Sequence, residues 1–126
     1  MNLTLTLNED DTRLVIKALD LYARLGAGQI EEVEELFRST MLVENMDEAL
    51  QLLLEAKLLM TGIHGRGSHG IANPAVGSRY RRAYEICGTL QHAIATNDPT
   101  APSYSVHLRE ILFLTGKAPP KVTVEK

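Results

Sequence analysis

Between Thr61 and Gly77 the chain holds five glycines and one proline, so no regular element can run through this stretch. A connection of about seventeen residues is uncommon in a compact domain and is usually functional or disordered. The rest of the 126 residues must therefore fold on either side of it. That length suits a single domain over 1–126, with a modest core. Aromatic residues make up 5% and Trp is absent, so the core must come mainly from Leu, Ile, Val, Met and Ala.

Helical periodicity dominates before the loop. Asn8 reads as an N-cap, with Asp10 and Asp11 in a first turn whose amides favour carboxylates. The helix it opens runs to about Leu25 on an apolar face of Leu14, Ala18, Leu21 and Leu25, and Gly26 is the expected C-terminal glycine. A second helix is predicted from about Gln29 to Arg38, with Glu31, Glu32, Glu34 and Glu35 as a solvated acidic face. A third starts near Asn45, with Glu48 completing a capping-box spacing, and ends near Met60. Its surface is apolar nearly all round, so it is either central or covered by a partner chain.

After the loop, a fourth helix starts at Ser78, or at Asn73 with Pro74 in its first turn, and stops near Thr96 before Asn97-Asp98-Pro99. Leu3, Leu5 and Leu7 alternate with Thr4 and Thr6, the period of a half-buried strand. Val122 and Val124 around Thr123 suggest another, while Tyr104–Leu114 is β-prone without a clean period. The expected class is α+β, with about four helices packed on a small antiparallel sheet formed by N- and C-terminal strands.

Cys87 is the sole cysteine, which excludes an intramolecular disulfide and favours a reducing compartment. No signal peptide or spanning run is evident, so a cytoplasmic protein without a membrane partner is expected. The net charge of −3 argues against general nucleic-acid binding. Its distribution is uneven. Residues 1–60 carry 12 acids against 5 bases, and residues 61–126 carry 4 acids against 8 bases. From His64 to Arg82 there are four arginines and no acid, a local field suited to a small anion.

Residues 65–70, Gly-Arg-Gly-Ser-His-Gly, match G-x-G-x-x-G literally, yet the strand that should precede a dinucleotide loop is missing, and so is the helix directly after it. The phosphate-loop pattern fails as well, because no Lys-Ser or Lys-Thr follows Gly70. What remains is glycine backbone able to approach an anion, with Arg66 as a planar fork of donors. Arg79, Arg81 and Arg82 sit where a helix starting at Ser78 has its positive end, a local conflict that reserves the site for an anion or is relieved by an Arg81–Glu85 pair. Tyr80 and Tyr84 lie one turn apart and serve either to stack on a base or as packing. His64 and His69 have no nearby cysteine or acid, so a metal is not indicated and His69 reads as a hydrogen-bonding group. No nucleophile and base stand in a recognisable arrangement, and neither an enzyme nor a cofactor is implied.

Leu21-Tyr22-Ala23-Arg24-Leu25-Gly26-Ala27-Gly28-Gln29, His69-Gly70-Ile71-Ala72-Asn73-Pro74 and Arg82-Ala83-Tyr84-Glu85-Ile86 together resemble the phage-encoded Thoeris anti-defence sponges, over roughly residues 1–96. The resemblance implies a small α+β oligomer, typically a hexamer, acting in the host cytoplasm. Such proteins sequester cyclic ADP-ribose-type or cyclic oligonucleotide signals without turnover. It implies Arg24 and Asn73 as polar ligand contacts, with an arginine of the Arg79–Arg82 group beside the phosphates. The base-stacking aromatic stays open among Tyr22, Tyr80 and Tyr84. The competing reading is a phage accessory or assembly module that binds protein and takes no small ligand.

Overall fold

The structure, a computed structural model, describes residues 1–38, 44–102, 107, 111 and 113–126. Its elements are α1 (Glu9–Gly26), a single 3-10 turn (Ile30–Glu32), α2 (Val33–Arg38), α3 (Met46–Thr61) and α4 (Ser78–Asn97). No strand occurs among the described residues, so the fold is all-α there and the expected α+β class is corrected. Alternation gives a strand its two faces, but a strand exists only when a neighbour completes its hydrogen-bond ladder. Met1–Leu7 pairs with nothing described, and Leu3 and Leu5 are 88% and 76% exposed. Val122–Val124 likewise forms no strand, and most of Tyr104–Leu114 lies outside the described residues. None of the described helices is long and apolar enough to cross a membrane.

Asn8 caps α1 as its residue type demands, its side-chain oxygen accepting from the Asp11 amide at 2.8 Å. At the other end the left-handed residue is Gly28, with φ +92°, rather than Gly26. Gly26 has a different task. A Cβ there would lie 2.0 Å from Cγ of Tyr80, so only glycine lets that ring seat against α1. Through this notch and the buried Ala23, Ala83 and Cys87, α1 packs along α4. The small residues at the contact allow close approach of the two helices.

The second half of the architecture is built on the 3-10 turn, α2 and α3. Here the acidic face departs from expectation. Glu31 and Glu34 are buried, and only Glu32 and Glu35 keep solvent contact. Glu31 meets Lys57, the one base of α3, which is fully buried. Glu34 is engaged by Arg38 one turn on. Asn45 stands at the N-cap of α3 but its side chain caps nothing, so the capping-box expectation is not met there. Gly62, left-handed at φ +73°, closes the helix.

Candidate functional site

The glycine-rich loop is held at three points. The Lys57 ammonium donates to the carbonyls of Gly65, at 2.8 Å, and Gly67, while gripping both Glu31 oxygens at 3.0 and 2.9 Å. The His69 amide donates to Ala27 O at the end of α1, at 2.9 Å, and Gln29 Nε2 donates to Ser68 Oγ at 3.1 Å. Finally, Arg81 Nη2 donates to Asn73 O at 2.6 Å. At Gly65 and Gly67 the carbonyls turn inward to a lysine.

This anchoring leaves a cleft of about 200 Å³ against the C-terminal end of α1. Arg24, Gln29, Ser68, His69 and Tyr84 supply its polar groups, with Asp20 at its edge. Arg24 Nε donates to Asp20 Oδ2 at 2.8 Å, and its Nη1 faces Gln29 Oε1 at 3.3 Å and Glu32 Oε1 at 3.8 Å. The Asp20 hydrogen bond raises the guanidinium pKa further above its usual value; burial opposes this and the charges of Asp20 and Glu32 add to it. Nη2 bonds no described residue. Asn73 sits behind His69, its Nδ2 3.5 Å from the ring Nδ1, while its Oδ1 accepts from the Ala75 amide at 2.9 Å.

Of the residues singled out in the sequence, the fold thus brings together Arg24, His69 and Tyr84, with Asn73 as a support. Arg66 and Arg79 are exposed and bond nothing described. Tyr80 is committed to packing: its ring lies 5.0 Å from that of Tyr22 and fills the notches of Gly26 and Gly77. Arg82 is committed too, donating to Glu85 Oε2 at 3.1 Å and to Ala118 O at 2.8 Å. The arginines therefore do not converge on one hollow. The conflict of Arg81 and Arg82 with the α4 dipole is relieved within the chain, by the Asn73 and Ala118 carbonyls and by Glu85. It is Arg82, not Arg81, that pairs with Glu85.

Sequence reasoning missed Gln29, Ser68 and Asp20. Gln29 follows the Gly26-Ala27-Gly28 turn directly, and a turn that returns the chain past the end of α1 places its next polar side chain at that end. Among the described residues no cluster of three or more His, Cys, Asp or Glu side chains gathers to hold a metal. No protein-family model, curated protein or solved structure matches the chain.

Proposed function

We propose that this chain is a non-catalytic, homo-oligomeric protein that binds and sequesters a small phosphorylated nucleotide at the α1–loop cleft. The observation that carries the reading is Arg24, which lines the cleft with its guanidinium fixed by Asp20 and Gln29 and its Nη2 bonded to no described residue. A preoriented fork of this kind suits a phosphate oxygen and loses little freedom on binding. The His69 ring and the Gln29 amide add donors, Asp20 accepts from sugar hydroxyls, and the half-exposed Tyr84 offers a face for a base. The resemblance to cyclic-nucleotide sponges, carried by segments that include Arg24, His69 and Tyr84, supports the same ligand class. Ser68 Oγ accepts from the Gln29 amide at 3.1 Å, which holds both polar groups at the cleft.

Ligand clefts commonly span about 300–1,000 Å³, so this one takes the phosphate-bearing part of a nucleotide and leaves the rest to its open side or to another copy. Thermal unfolding with ADP-ribose, cyclic ADP-ribose, a cyclic dinucleotide and pyrophosphate tests the proposal. At a hundredfold excess over Kd a true ligand stabilises the protein by about 2.7 kcal/mol, and Arg24→Ala removes the effect. No shift with any of the four, or a shift equal in Arg24→Ala, would falsify the reading. A stable complex with a host protein in their place would favour the assembly-module alternative.

A further inference from the structure

Four large apolar side chains of α3, Leu52, Leu58, Leu59 and Met60, are exposed. This helix packs on the 3-10 turn and α2 but touches neither α1 nor α4 among the described residues. Its inner stripe, Leu50, Leu53, Leu54 and Lys57, is partly or fully covered. A second stripe is open. Ala49, Leu52, Ala56 and Leu59 follow the 3-4-3 spacing of a helix-pairing seam, the alanines partly exposed and Leu52 and Leu59 59% and 88% exposed.

We propose that this stripe pairs antiparallel with the same stripe of a second copy, about a twofold axis at the level of Leu54. The order of the residues carries the choice of partner. In that register Leu52 falls opposite Ala56 of the second copy, and Leu59 opposite its Ala49. Every layer then sets one large side chain against one small one, on both sides of the axis. Such self-complementarity is what a twofold interface requires of a single surface, and an unrelated partner helix has no need of it. The alanines let the backbones approach and the leucines fill the gap opposite, so each layer fills without voids. Glu48 and Glu55 lie on one side of the stripe, and self-pairing about this axis gathers four carboxylates along one rim. Salt screens that repulsion, so association tightens as ionic strength rises, whereas pairing with a basic partner helix loosens.

The inference deepens the oligomeric part of the reading above and is independent of the nucleotide. Its test is the association constant of the full chain by sedimentation equilibrium, at low and high salt, with circular dichroism to confirm folding. Ala56→Leu sets leucine against leucine and is expected to weaken association at least tenfold; adding Leu52→Ala exchanges the layer and restores it. Leu52→Cys/Ala56→Cys is expected to form crosslinked pairs on oxidation, and Leu52→Cys alone is not. A monomeric wild-type chain overturns both the seam and the oligomeric reading. A wild-type oligomer indifferent to Ala56→Leu, one not restored by the exchange, or one that loosens with salt overturns the seam alone.

Discussion

The Nζ of Lys57 lies 2.9 Å from Glu31 Oε2, with the two side chains 0% and 4% exposed. The same ammonium bonds Gly65 O and Gly67 O, so one buried charge joins α3, the 3-10 turn and the loop beside the cleft. Removing one partner strands the other charge, at a cost of about 3–5 kcal/mol. Lys57→Met is therefore expected to lower stability by that amount in chemical denaturation. It also frees the loop carbonyls, so trypsin cleavage after the exposed Arg66 should speed up under conditions where the helices stay folded. Glu31→Gln should destabilise comparably, and the pair of changes together should cost less than the sum of the two.

Gly26 and Tyr80 make a second coupled pair. Elsewhere in a helix Gly→Ala gains up to about 1 kcal/mol. Here the added methyl meets the Tyr80 ring, and overpacking of that kind costs about 1–3 kcal/mol. Gly26→Ala is expected to destabilise the wild type and to stabilise a Tyr80→Ala background. Equal effects in the two backgrounds, read from denaturation midpoints, would refute the packing account.

The helices were legible in the sequence because their signals are local: the Asn8 cap and the breakers on either side of the loop. The apolar face read for α1 was not the packed one, since Leu14 is 69% exposed and Ala18 exposed while Ala23 is buried. The sheet was not, because alternation in Leu3–Leu7 says what a strand would bury but nothing about a neighbour to pair with. The acidic run at 31–35 misled for a related reason. Periodicity alone makes it a solvated face, and only the return of α3 brings Lys57 against Glu31. The same limit applied to the cleft. His69 and Tyr84 were found by residue type and Arg24 through the resemblance, whereas the commitment of Tyr80 to packing and of Arg82 to Glu85 and Ala118 depends on tertiary neighbours.

Glu85 is fully buried and ties α4 to the C-terminal segment. Burial by itself pushes its pKa up. The Thr115 hydroxyl, the Leu114 and Thr115 amides and Arg82 outweigh that, holding it at about 2 against an ordinary 4.5. A carboxylate whose pKa falls on folding stabilises the protein above its unfolded pKa, and the contribution is lost as pH drops through the folded value. The wild type is therefore expected to lose up to about 3 kcal/mol between pH 4.5 and 2 from this group. Glu85→Gln should be less stable at pH 7 and flatter across that window. Unfolding free energies at pH 7, 4.5 and 3 for both proteins check this, and parallel profiles would rule it out.

Cys87 lies on the face of α4 that packs against α1, its Sγ 3.5 Å from Ile16 O. Burial, first, and the nearby Asp20 charge push its thiol pKa up to about 11, with Arg24 opposing, from an ordinary 9.0. Thiol reagents attack the thiolate, so at pH 8 this shift alone slows labelling by about 100-fold relative to an unperturbed thiol. Burial slows it further, because the reagent must wait for α1 and α4 to part. The labelling rate should therefore follow the opening of the helix pair. Denaturant well below the midpoint should accelerate it, and Gly26→Ala, which strains the same contact, should do so without denaturant. Fast labelling of the native wild type at pH 8 would mean that α1 and α4 do not close over Cys87 as described.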